Sequence, residues 1–71
     1  MTINEKLAVA GNLTTSIEWL DKLSKDPEKR VREFVANNPS CPLYILRELA
    51  EDEWLGIRCR VASNPNCDRS L

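Results

Sequence analysis

Histidine is absent from this 71-residue chain. The commonest general base and the commonest imidazole ligand are therefore missing, which argues against an enzyme. Glycine occurs twice and proline four times, beside 42% hydrophobic and 30% charged residues. Such a composition excludes fibrous and disordered classes and reads as one small globular domain over residues 1–71. Neither sign of charge dominates: Lys+Arg total 10, Asp+Glu total 11, and the pI is near 5.3. A globally basic nucleic-acid binder is excluded. No apolar run approaches the roughly 20 residues that span a bilayer. The Met1–Gly11 stretch has no basic region leading into an apolar one, so a cytoplasmic chain with no membrane partner is expected.

The cysteines are three, Cys41, Cys59 and Cys67. The odd count does not form a disulfide framework, and the spacing matches no zinc or iron–sulfur signature. Free structural thiols are expected, with no metal and no cofactor. Cys41 and Cys67 fall at expected helix N-termini, where a thiol's pKa can drop. Nucleophile–base pairs and glycine-rich phosphate loops are also lacking.

What the sequence has is a repeat. Val31–Pro42 (VREFVANNPSCP) aligns with Ile57–Asp68 (IRCRVASNPNCD) at an offset of 26 residues, and six of the twelve positions are identical. A weaker first copy lies 26 residues earlier: Val9, Ala10 and Asn12 match Val35, Ala36 and Asn38, while Leu20, Leu23 and Asp26 match Leu46, Leu49 and Asp52. The chain thus holds nearly three copies, at about 5–30, 31–56 and a partial 57–71.

Each copy reads as two helices. The first, expected to be the longer, carries Ile17, Leu20 and Leu23, then Leu43, Leu46 and Leu49, with Trp19 and Ile45 widening the stripe. Thr14, Ser40 and Asn66 stand just before it as expected N-caps, with Pro42 in the first turn. The second helix is expected to open at Asp26 or Asp52, with Pro27 at its first position. It buries Val31, Val35 and Ala36, or Ile57, Val61 and Ala62. It ends at Asn38-Pro39 or Asn64-Pro65, because a residue before proline leaves the helical region. Asparagine there also suits a left-handed cap. Thr2-Ile3-Asn4-Glu5 fits a capping box opening a short first helix that ends near Gly11-Asn12. Connections of two to four residues are expected. The fold implied is all-α, a helical solenoid in which each copy buries its face on the next.

Val31-Arg32-x-x-Val35-Ala36-x-Asn38-Pro39-x-x-Pro42, followed by Leu46-x-x-Leu49-Ala50-x-Asp52, resembles the variant leucine-rich repeat, within HEAT-like helical repeats. Asp26–Arg32 and its copy Asp52–Arg58 resemble the HEAT signature. The period of 26 is longer than that family's usual one, and the second segment is long enough for an α-helix. The resemblance implies a short right-handed α-solenoid of helix pairs, an Asp/Arg ladder between stacked copies, and a scaffold or binding role rather than a reaction. The cysteine run that carries an iron–sulfur cluster in one relative has no counterpart here.

A residue that recurs at one repeat position reads as architectural, and an exposed residue that breaks the pattern is the better functional candidate. Arg32 and Arg58 recur and are assigned to the ladder. Trp19 maps to Ile45 and Leu71 and is expected in the core. Trp54 and Leu55 replace Glu28 and Lys29, Tyr44 replaces Glu18, Arg47 replaces Asp21 and Arg60 replaces Phe34. Exposed tryptophan beside an apolar group and arginine is a hot-spot composition. Trp54 alternatively only covers the end of the stack. The expected function is a non-enzymatic protein–protein interaction or scaffold module, with Tyr44, Arg47, Trp54, Leu55 and Arg60 contacting a protein partner. The alternative is nucleic-acid binding through Lys22, Lys25, Lys29 and Arg30, against which the overall acidity counts. That basic cluster and the acidic Glu48, Glu51, Asp52 and Glu53 occupy similar repeat positions. They are either solvated faces or complementary edges for a homo-oligomer joined through open ends.

Overall fold

The computed structural model describes residues 1–67. These residues form five α-helices and no strand: α1 (Ile3–Gly11), α2 (Ile17–Leu23), α3 (Lys29–Asn37), α4 (Leu43–Leu49) and α5 (Leu55–Ser63). The expected onset of a further helix toward Leu71 lies outside the described residues.

Helix α3 packs against both α1 and α5, and these three make one layer; α2 and α4 fill the positions between them. The core comprises the expected apolar positions: Leu20, Leu23, Val31, Val35, Ala36, Ile45, Leu46, Leu49, Ile57 and Val61, joined by Leu7, Ala10 and Cys41. Expected members also lie outside it: Ile17 is 49% exposed and Leu43 only partly buried, both in the first turn of their helices. Ala62 is exposed, unlike its counterparts Ala10 and Ala36, because no described helix covers the far flank of α5. Trp19 is 44% exposed although Ile45 is fully buried, since α2 is the first helix of its layer.

The first helix of each pair is the shorter, seven residues against nine. Residues spent on capping and turning explain this. The capping box at Thr2 and Glu5 forms as the sequence implies. Elsewhere each helix starts two residues later than expected: α2 is capped by Ser16, α4 by Pro42, α3 by Glu28 and α5 by Trp54. Asp26 and Asp52 instead form Asx turns. Asp26 Oδ1 accepts the Glu28 N–H at 2.9 Å, and Asp52 Oδ1 accepts the Trp54 N–H at 3.0 Å. Pro27 therefore sits in the turn, not in the helix. The connections, residues 12–16, 24–28, 38–42 and 50–54, are correspondingly longer than expected.

Helices α3 and α5 end before Asn38-Pro39 and Asn64-Pro65 as the proline rule requires. The cap residues are extended (φ −76° and −72°) rather than left-handed. Extension frees the asparagine side chain for other bonds. Asn38 Oδ1 accepts the Ser40 N–H, and Asn38 Nδ2 donates to the carbonyls of Ala10 (2.8 Å) and Asn12 (2.9 Å). Asn64 does the same 26 residues on, donating to Ala36 and Asn38, both at 2.8 Å. Ser40 and Asn66, expected as caps, reach back across the same seam, Ser40 Oγ to the Leu13 carbonyl and Asn66 Nδ2 to those of Pro39 and Cys41. Among the described residues no buried side-chain nitrogen or oxygen lacks a hydrogen bond.

Candidate functional site: the surface around Trp54

A row of ion pairs sets the spacing of α1, α3 and α5. Lys6 Nζ lies 2.8 Å from Asp26 Oδ2, and Arg32 Nε lies 2.8 Å from Asp52 Oδ2. Arg32 Nη2 also reaches Asp52 Oδ1 at 3.4 Å, and its Nη1 donates to the Asp26 carbonyl at 2.7 Å. The basic residue therefore pairs with the aspartate 20 residues ahead; Asp26, the expected ladder partner of Arg32, offers it only its backbone oxygen. Lys6 holds the Asp26 carboxyl below the usual aspartate range, helped by the Glu28 N–H. For Asp52, burial pushes upward, but the hydrogen bonds from Arg32 and the Trp54 N–H outweigh it, and the net shift is downward.

The carboxylate of Asp52 fixes the backbone of Trp54, the residue before α5, which is 44% exposed. Lys29, first residue of α3, places its ammonium 3.7 Å from the centre of that ring. Beneath them a cleft of about 80 Å³ is lined by Lys29, Glu33, Trp54, Gly56 and Ile57. Leu55, the first residue of α5, follows Trp54 and at 65% is the most exposed large apolar residue among the described residues. Glu33 also accepts from Arg60 Nε at 3.4 Å, so Arg60 closes the edge of the same surface.

Of the five residues expected to contact a partner, Trp54, Leu55 and Arg60 come together here. Tyr44 and Arg47 do not: they lie three apart on one face of α4, in the other layer. The surroundings of Tyr44 are charged. Partial desolvation raises its phenol pKa first, and the carboxylates of Asp21, Glu48 and Glu18 add to the rise against Lys25. Glu33 and Lys29 were not among the expected contacts. The available signal was a paired reversal, since Glu33 and Arg60 occupy the positions of Leu7 and Phe34 one repeat earlier.

The basic cluster is largely engaged within the chain. Lys25 pairs with Asp21 at 2.7 Å and lies 3.7 Å from Glu48, which raises its pKa, chiefly through Asp21. Lys22 lies 5.3 Å from the Trp19 ring, and Lys29 is taken by Trp54. Part of the basic edge thus meets part of the acidic edge inside one molecule.

Cys41, Cys59 and Cys67 are not in disulfides. Cys41 is buried, and that burial pushes its pKa up to about 12, opposite to the lowering expected at a helix start. No group of three or more acidic or cysteine side chains among the described residues is placed to hold a metal. No described helix is long and apolar enough to cross a membrane.

Comparison of the chain with protein-family profiles, with curated proteins and with solved structures finds no match in any of the three.

Proposed function

We propose that the chain is a non-enzymatic protein-binding module, a short right-handed α-solenoid of HEAT-like helix pairs similar to the variant leucine-rich repeat. In this reading the surface over α3 and α5 meets a protein partner. The observation that carries it is the joint exposure of Trp54 and Leu55 beside a cleft in which Glu33 is paired with Arg60. Exposing a large aromatic and a leucine side by side costs solubility; inside the chain the Trp54 ring meets Lys29, while Leu55 stays 65% exposed. Trp54 is held from below by Lys29 and by the Asp52 turn, so little side-chain freedom is lost on docking. Leu55 and the open face of Trp54 supply the desolvated centre, while Lys29, Glu33 and Arg60 form a polar rim that orients the partner. Tyr44 and Arg47 belong to this surface only if the partner wraps the molecule onto α4.

The test is affinity capture from lysate with the wild-type chain and a Trp54→Ala, Leu55→Ala variant of verified helical content. The captured protein is then purified and titrated against both. Loss of binding by the folded variant supports the proposal. Equal binding by both overturns the surface, and capture of nucleic acid in a salt-sensitive manner overturns the protein-binding reading.

A further inference from the structure

The cleft on the seam between α3 and α5 is built from residues that depart from the repeat. Lys29 and Glu33 of α3, Trp54 before α5 and Gly56 of α5 line it, together with the buried Ile57. At the seam between α1 and α3 the same repeat positions hold Ile3, Leu7, Glu28, Arg30 and Val31. Only the Val31/Ile57 position keeps its character. Both walls of the cleft belong to described helices, so a further repeat stacked on the outer flank of α5 would leave it open.

Gly56 is the second residue of α5. Glycine inside a helix is destabilising relative to alanine, and nothing local requires it here. Its φ is not positive, and a Cβ built on it comes near only Glu33 Oε2, at 3.7 Å, an ordinary contact. What the missing side chain does is keep the space between Trp54 and Glu33 open. The charges around that space are unevenly matched. Glu33 pairs with Arg60. Lys29 forms no ion pair with a described residue, and its ammonium rests on the Trp54 ring, 3.7 Å from the centre. An exposed cation is held only weakly by a ring, and a carboxylate offers it a stronger, charge-assisted bond.

We propose that this cleft takes an aspartate or glutamate side chain from a segment of a partner protein, with the carboxylate on the Lys29 ammonium and a neighbouring apolar residue of that segment on Trp54. The proposal rests on the reading of the Trp54 surface as a protein interface and names what that interface selects. A basic segment is disfavoured, because it would bring a third cation beside Lys29 and Arg60. The volume of about 80 Å³ accommodates one side chain and is far below the roughly 300–1,000 Å³ of small-molecule pockets.

The test is selection of a random dodecapeptide display library on the full chain, with depletion on a Gly56→Leu variant of verified helical content. Peptides with Asp or Glu beside a large apolar residue are expected to be enriched. The best of them, made synthetically, is then titrated by NMR and is expected to shift the Trp54 indole N–H. Its Kd is expected to rise at least tenfold for Gly56→Leu and for Lys29→Met. Gly56→Ala is expected to raise the melting temperature while weakening the peptide, a combination that a merely structural glycine would not give. Enrichment of Lys or Arg, no enrichment that depends on Gly56, or an unchanged Kd for Lys29→Met overturns the proposal. If Trp54→Ala abolishes binding of a peptide that ignores Lys29, the protein-binding reading stands and the acidic selection falls. If Trp54→Ala also leaves binding unchanged, both fall. Self-association in sedimentation that Gly56→Leu abolishes overturns the proposal in favour of a second copy. Tighter binding of a twelve-nucleotide oligothymidine than of the peptide overturns it in favour of nucleic acid.

Discussion

Arg32 grips both carboxylate oxygens of Asp52, at 2.8 and 3.4 Å, while its third nitrogen is tied to the carbonyl of Asp26. One side chain thus joins two turns and fixes the start of α5, where Trp54 is presented. The two side chains are only 12% and 10% exposed, so removing either leaves a poorly hydrated charge behind.

Asp52→Ala is therefore expected to lower stability by about 2–3 kcal/mol. Glu33→Ala, which breaks a pair with side chains 53% and 35% exposed, is expected to cost about 0.5 kcal/mol or less. Urea unfolding of both variants checks the contrast. Equal midpoints would show that the Arg32–Asp52 pair has no special weight.

Acid should act through the same aspartates. Asp26 and Asp52 both titrate below the ordinary value of 3.8 in the folded chain. The unfolded chain then binds more protons as the pH falls, and folding loses stability. The contribution is complete above about pH 5 and is lost as the pH falls through the lowered values. Thermal melts are expected to be flat from neutral pH to about 5 and to drop steeply below about 4. An Asp26→Asn, Asp52→Asn variant should start lower and fall less; parallel curves would assign the acid loss to other groups.

Asn38 makes two donor bonds across the seam between α1 and α3. Asn38→Ala is expected to cost about 2–3 kcal/mol, a large share of the roughly 4–10 kcal/mol expected for a chain this size. Asn38→Asp should cost more, because a carboxylate cannot donate and would face two carbonyls. Calorimetry of the two variants gives the order, and a milder effect of Asn38→Asp would mean that the donors are dispensable.

Thiol reactivity should separate Cys41 from Cys59. Cys41 is buried with its pKa near 12, whereas Cys59 is exposed on α5. Iodoacetamide at mildly alkaline pH is expected to label Cys59 in the folded chain and Cys41 only after denaturation. Comparable labelling rates without denaturant would show that the core around Cys41 opens readily.

The alternation of apolar residues made the helices and most of the core legible in the sequence. Leu20, Val35, Leu46 and Val61 fall where their spacing puts them. Periodicity carries no information on what covers a helix from outside, which is why Ile17, Trp19 and Ala62, expected in the core, stand outside it. Capping was misread for a related reason. Asp26, Asp52 and Ser40 have the chemistry of N-caps, but their oxygens serve turns and neighbouring segments. The offset of 26 residues showed that Asn38 and Asn64 matter, not that they bond to the preceding copy. At the surface, departures from the repeat pointed to Trp54, Leu55 and Arg60. That Trp54 and Arg60 both meet Glu33 follows from the register between α3 and α5, which single positions do not reveal.

The proposed protein interface is anchored on Trp54 and Leu55. The most direct measurement is calorimetric titration of the purified captured partner with single alanine variants of Trp54, Leu55, Arg60, Tyr44 and Arg47. Trp54→Ala and Leu55→Ala are expected to weaken binding at least about 30-fold, as hot-spot truncations do, with Arg60→Ala changing it less than about fivefold. Near-wild-type affinity for both Trp54→Ala and Leu55→Ala, with the loss falling instead on Tyr44 and Arg47, would contradict the account and move the interface to α4.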